Sequence, residues 1–116
     1  MDQDGFLETL KRAISRCQLE RYITAACGDY RQAEDHWQIA VNIEEIRRDQ
    51  ASPGGIKGSH GQRRMLQVLT TLWNPRAADE LFDQPFSALV PVVMSMDREN
   101  REILAELLYC YPGWGD

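Results

Sequence analysis

A compact all-α domain is the fold class that this sequence predicts, and three observations predict it. Apolar residues recur at spacings of three and four in several stretches, the period of a one-sided helix. Those stretches are divided by short turns marked by proline, glycine or a helix-capping residue. The β-like run at 89–94 contains Pro91, which has no N–H to give to a central ladder. The expectation is one domain over residues 1–116, a bundle of about five to six short helices. At 116 residues, 43% hydrophobic and 27% charged, the chain suits a single ordinary core; a multidomain enzyme and low-hydropathy disorder are both excluded.

Asp4 suits the cap of a first helix, with Leu7, Leu10, Ile14 and Cys17 as its apolar stripe. Tyr22, Ala25 and Ala26 carry the apolar character on toward Gly28, which fits a left-handed terminator; whether the helix breaks near Gln18 stays open. Residues 30–50 carry two periods at once. Trp37, Ile39, Val41 and Ile43 alternate with polar or small residues as in a strand. On a helical wheel Tyr30, Ala33, Trp37, Ile39, Ala40, Val41, Ile43 and Ile46 cover one broad arc, opposite Glu34, Gln38, Asn42, Glu45 and Asp49. A strand needs a partner, and the run broken by Pro91 is a poor one, so the segment reads as helix. The alternative is an α+β fold in which a strand at 36–43 pairs with its own copy across a dimer axis.

Residues 51–58 (ASPGGIKG) read as a flexible Gly/Pro-rich loop inside the domain. Ser59 then caps a strong helix with Met65, Leu66, Leu69, Leu72 and Trp73 on one face. Asn74 and Pro75 close it and open a short helix lined by Ala77, Ala78, Leu81 and Phe82, proline being at home in the first helical position. Pro85 opens another helix, kinked at Pro91. Asp97 caps the last, whose buried face is Ile103, Leu104, Leu107, Leu108 and Tyr111, before Pro112 and Gly113 stop it. Trp37 and Trp73 fall on apolar faces and are expected in the core, and the three widely spaced cysteines, Cys17, Cys27 and Cys110, read as small buried hydrophobes.

The net charge is −5, yet it is unevenly spread. Residues 47–64 hold five Lys and Arg against Asp49, net +4, whereas residues 79–116 hold eight acids against Arg98 and Arg101, net −6. Within the basic stretch Lys57, Ser59, His60, Arg63 and Arg64 gather where a glycine-rich loop feeds a helix N-terminus, a setting that attracts anions or an acidic partner. The arrangement lacks the Gly-Lys-Ser/Thr order of a phosphate-binding P-loop. Tyr111 and Trp114 are the second candidate, because large amphipathic aromatics dominate partner interfaces; the alternative for Trp114 is to fold back as a lid on the core.

No nucleophile motif or Glu-x-x-His pair is present, and Asp79 with Asp83 makes a weak cation pair at most, so the expectation is no enzyme, no catalytic residue, no cofactor and no metal. No apolar run is long enough for a membrane and the N-terminus lacks a signal-peptide pattern, which points to a cytoplasmic protein. Residues 59–74 (SHGQRRMLQVLTTLWN) resemble small helical proteins of unknown function carried on bacterial plasmids and integrative elements. The resemblance covers that one stretch and transfers no site; it implies a bacterial accessory protein. The functional expectation is a small acidic protein–protein interaction module, a non-catalytic adaptor or inhibitor. An anti-defence protein of a mobile element is its narrower form. The expected partner is a protein, with a homodimer also open, and the alternative is nucleic-acid or phosphate-ligand binding through residues 57–64.

Overall fold

The first helix, α1 (Gln3–Arg16), buries Phe6, Leu10, Ala13 and Ile14 completely, as its three-and-four spacing requires. It stops at Gln18. That residue takes φ +55°, and the bonds Leu19 N–H to the Ile14 carbonyl (2.9 Å) and Gln18 N–H to the Ser15 carbonyl (3.3 Å) close a Schellman terminus, with Leu19 buried beyond it. The computed structural model describes residues 3–82 and 93–115; the helix expected to open at Pro85 and kink at Pro91, and the Asp83 of the carboxylate pair, lie outside them.

The segment after α1 departs from the all-α expectation. A 3-10 turn, Glu20–Tyr22, leads into strand β1 (Ile23–Ala25), and two further 3-10 turns, Tyr30–Gln32 and His36–Gln38, lead into β2 (Ile39–Val41). The strands pair antiparallel, Ile23 opposite Val41 and Ala25 opposite Ile39. Bonds from Ala26 N–H to the Gln38 carbonyl and from Asn42 N–H to the Tyr22 carbonyl, both 2.8 Å, extend the ribbon at its two ends. Residues 30–50 are therefore not one helix, and the strand within 36–43 finds its partner inside the chain instead of across a dimer axis. The cause is local: Asp29, Asp35 and Asn42 each accept a nearby backbone N–H, from Arg31, Trp37 and Glu45, and so start three separate turns where one helix would need to run through. A three-residue ribbon is marginal alone. Here Ile39 and Val41 face inward, and β2 packs on α3.

Four more helices complete the described fold: α2 (Ile43–Ala51), α3 (His60–Trp73), α4 (Pro75–Leu81) and α5 (Arg98–Cys110). The molecule is thus mostly helical with a small two-stranded sheet. Residues 64–70 of α3 are all buried, which makes it the central helix, and α1 packs along α5 beside it. Three of the four expected caps are in place, while Asp4 lies inside the first turn of α1 instead of capping it. Ser59 and Gln62 form a reciprocal capping box, the Asn74 side chain accepts from Ala77 N–H ahead of Pro75, and Asp97 accepts from Asn100 N–H. Among the described residues no helix is long and apolar enough to cross a membrane.

Four core assignments change: Leu108 and Tyr111, expected on the buried face of the last helix, are 51% and 36% exposed, and Trp37 and Cys27 leave the core as well. Trp37 is 57% exposed, because the 3-10 turn directs its neighbours His36 and Ile39 inward in its place. His36 is wholly buried: its Nε2–H donates to the Gly113 carbonyl at 2.9 Å and its ring meets Phe6 edge to face at 5.4 Å. Cys27 is exposed, whereas Cys17 and Cys110 are buried as free thiols.

The chain end folds back. Trp114 is buried, its Nε1–H donates to the Ile39 carbonyl at 2.9 Å, and its ring packs edge-on against Trp73 at 5.1 Å and Phe6 at 6.0 Å. Tyr111 donates its hydroxyl to the Leu72 carbonyl at 3.0 Å. Gly115 passes the backbone of Trp73 so closely, at φ +86°, that a Cβ there would collide with the Trp73 carbonyl oxygen. Gly115→Ala is expected to lower stability by more than about 1 kcal/mol in urea denaturation, since both the left-handed backbone and the contact oppose a side chain.

Candidate basic cleft

The loop at 51–58 is tied down by a polar cluster. Asp49, on the inward face of α2, is buried and takes two bonds from Arg21, Nε–H at 2.6 Å and Nη2–H at 2.8 Å. The Tyr22 hydroxyl donates to the same carboxylate at 2.6 Å and accepts from Lys57 N–H at 2.8 Å. These bonds from Arg21, then Tyr22, hold the Asp49 carboxyl well below the usual carboxylate range, and the Arg21 guanidinium is correspondingly raised. Burial, seconded by the carboxylate, pushes the Tyr22 phenol up. Ile56 is buried at the same place, so the loop has a fixed end on the core.

With the loop held there, a cleft of about 380 Å³ opens between it, α3 and the end of α4. Its lining is Gln50 from α2, Gly54, Gly55 and Ile56 from the loop, His60, Arg63, Arg64 and Gln67 from α3, and Leu81 with Phe82 at the end of α4. The α3 residues recur at three, four and seven, one helical face. Among the described residues no Asp or Glu lines the cleft. Arg63 is exposed, while Arg64 is buried, its Nε–H donating to Ser95 Oγ at 3.2 Å and its Nη1–H to Gln67 Oε1. A guanidinium held by two neighbours is set in place before any ligand arrives, which reduces the entropy lost on binding.

Of the five residues singled out in the basic stretch, three converge on the cleft: His60, Arg63 and Arg64. Ser59 is occupied in its capping box and borders a different, more polar recess of about 400 Å³ with Arg16, Cys17, Asp97 and Asn100. Lys57 is exposed beside the cleft without lining it. Gln50, Gln67, Ile56, Leu81 and Phe82 were missed by charge-based reading, because nothing in their own surroundings in sequence marks them. Tyr111 is partly exposed with its hydroxyl bonded inward, and Trp114 belongs to the core.

Folding also redistributes the charge. Arg47 and Arg48 pair with Glu44 and Glu45 on their own helix at 2.8 and 2.7 Å, so they do not extend the basic region toward the cleft as bare cations. On the acidic side Arg16 reaches Asp97 at 2.9 Å and Glu99 at 3.2 Å, and Arg12 reaches Glu99 at 3.2 Å. The opposition seen along the sequence is therefore partly cancelled on the surface. Among the described residues no group of three His, Cys, Asp or Glu side chains is placed to hold a metal ion. No protein-family model, curated protein or solved structure matches the chain.

Proposed function

We propose that this chain is a small non-catalytic protein-binding module of the cytoplasm, an adaptor or inhibitor, that receives acidic side chains of its partner in the basic cleft. The observation that carries the reading is the convergence of His60, Arg63 and Arg64 on one cleft, with no Asp or Glu among the described residues of its lining. Such a cleft attracts and orients a carboxylate-bearing surface, while the chain as a whole, at net charge −5, repels acidic surfaces that approach elsewhere. Nucleic-acid binding is less well supported. A duplex backbone rewards an extended cationic stripe, and here Arg47 and Arg48 are already paired with carboxylates.

The test is fluorescence anisotropy with a labelled glutamate-rich peptide at low salt. Binding is expected to weaken as salt rises and to fall about tenfold or more in Arg63→Glu, the loss of a charge-assisted contact compounded by repulsion. Arg98→Glu reverses a fully solvated arginine outside the cleft and is expected to leave the affinity within about twofold. Equal losses in the two variants, or none in Arg63→Glu, contradict the reading.

A further inference from the structure

The polar recess of about 400 Å³ lies where the starts of α3 and α5 meet the end of α1, lined by Ser59, Gly61 and Gln62, by Asp97 and Asn100, and by Arg16. Asn100 is only 6% exposed. Its Oδ1 accepts from Arg16 Nε–H at 3.0 Å and from the Cys17 thiol at 3.6 Å, which fixes the orientation of the amide. Its Nδ2 amino group faces α3, where a Cβ built at Gly61 would stand 3.7 Å away, and among the described residues nothing accepts a hydrogen bond from it. A nearly buried donor in that state costs free energy until water or a ligand accepts from it. The capping box opposite uses acceptor atoms: Ser59 Oγ takes Gln62 N–H at 3.2 Å, and Gln62 Oε1 takes Ser59 N–H at 2.7 Å. The Ser59 hydroxyl proton and the Gln62 Nε2 amino group remain to donate. Gly61 N–H, in the first turn of α3, has no carbonyl of its own helix to reach. Glycine there costs the helix about 1 kcal/mol against alanine. Neither a left-handed φ nor a clash requires it, since an added Cβ would come no nearer than 3.4 Å, to the Ser95 carbonyl oxygen. The missing side chain keeps open the gap in front of Asn100.

We infer that this recess binds the carboxylate of a small monocarboxylic acid, held between Asn100 Nδ2, Gly61 N–H and the Ser59 hydroxyl. An ionised carboxylate only accepts hydrogen bonds, so it matches a set of donors, and the helix N-termini that begin here favour its charge. Asp97 does not compete for the donors, because its two oxygens already take Asn100 N–H at 2.8 Å and Arg16 Nη2–H at 2.9 Å. It does set the charge of the ligand. With Asp97 and Glu99 both paired to Arg16, at 2.9 and 3.2 Å, a dianion such as phosphate meets more repulsion than a monoanion. The volume is at the small end for ligand sites, which suits a molecule of a few carbon atoms. Among the described residues the recess shares no lining residue with the basic cleft, so the two sites stand or fall separately.

Two-dimensional amide NMR of the intact chain tests this with sodium acetate, L-lactate, uncharged acetamide and inorganic phosphate, titrated in parallel at constant ionic strength. Acetate and lactate are expected to give saturating shifts at the Gly61 and Gln62 amides and at the side-chain amide of Asn100. Acetamide is expected to give none, and phosphate to bind about threefold or more weakly than acetate. Gly61→Ala places a methyl in the gap while suiting the helix, so it is expected to weaken acetate about tenfold without lowering the thermal midpoint. Asn100→Asp keeps the shape and the acceptor for Arg16 but turns the donor into an acceptor, and is expected to weaken acetate about tenfold or more. Arg63→Glu, in the basic cleft, is expected to leave acetate within about twofold. Absence of saturating shifts at Gly61 and Asn100, acetamide binding as well as acetate, or an acetate affinity unchanged in both Gly61→Ala and Asn100→Asp overturns the site. Phosphate binding more tightly than acetate overturns the monocarboxylate assignment.

Discussion

Trp114→Ala is expected to lower the stability of the chain by about 3–5 kcal/mol, the range for removing a large aromatic from a packed core. The indole is 5% exposed, contacts Phe6 and Trp73 edge-on, and caps the Ile39 carbonyl at the start of β2. Its loss opens a cavity and strands a buried carbonyl at once, and it frees the backbone carbonyl of Gly113 that holds His36. Urea denaturation followed by circular dichroism measures the change. Tyr109→Ala, five residues earlier and 86% exposed, is the control and is expected to stay within about 0.5 kcal/mol of wild type. A Trp114→Ala loss as small as the control's would mean that the chain end does not belong to the core.

The second large effect concerns Asp49. Asp49→Ala removes the acceptor of three hydrogen bonds and leaves the buried Tyr22 hydroxyl without the carboxylate it donates to. Tyr22→Phe, which removes only the bridge from Asp49 to Lys57 N–H, is expected to cost about 1–3 kcal/mol, and Asp49→Ala more than that. The effect has a pH signature. The Asp49 carboxyl titrates lower in the folded chain than in the unfolded one, so its contribution is whole above about pH 4 and is lost as pH falls toward the folded value. Asp29 and Asp97 are also held low, chiefly by backbone N–H bonds from Arg31 and Asn100, and they weaken wild type and variant alike on acidification. The stability gap between wild type and Asp49→Ala is therefore expected to narrow from pH 7 to pH 3. A gap that is constant across that range would show that the carboxylate charge is not what the cluster holds.

How much of this was written in the sequence varies by element, for physical reasons. Helices α3, α4 and α5 were legible because their caps and their three-and-four apolar spacing agree, as at Ser59, Asn74 and Asp97, and α1 was legible from its spacing alone. The sheet was not. β1 has only three residues, Ile23–Ala25, too few for alternation to stand out, and it follows directly on a stretch that continues the stripe of α1. With β1 hidden, β2 had no visible partner, and the rule that strands need partners then favoured a helix for residues 30–50. The three side-chain turns at Asp29, Asp35 and Asn42 were the signal that separates the two, since Asx residues placed six and seven apart interrupt a helix repeatedly.

The candidate site was half legible for a related reason. His60, Arg63 and Arg64 share a helix with one another, so their convergence follows from helical period alone. Gln50, Leu81 and Phe82 come to the cleft only through the tertiary turn of the loop that Tyr22 and Asp49 fix, a contact between residues 35 apart that no local pattern encodes. In the other direction, the burial of Arg64 and the pairing of Arg47 and Arg48 trimmed a run of five cations to a smaller and better defined feature.

The central claim is that this cleft is where the chain receives an acidic partner, and the most direct measurement is a two-dimensional amide NMR titration with the glutamate-rich peptide. The account predicts shifts that saturate together at Gly54, Gly55, His60, Arg63 and Gln67, with Tyr109 and Arg98 unmoved. Shifts centred on the exposed α5 residues, or spread evenly over surface cations without saturation, would contradict it.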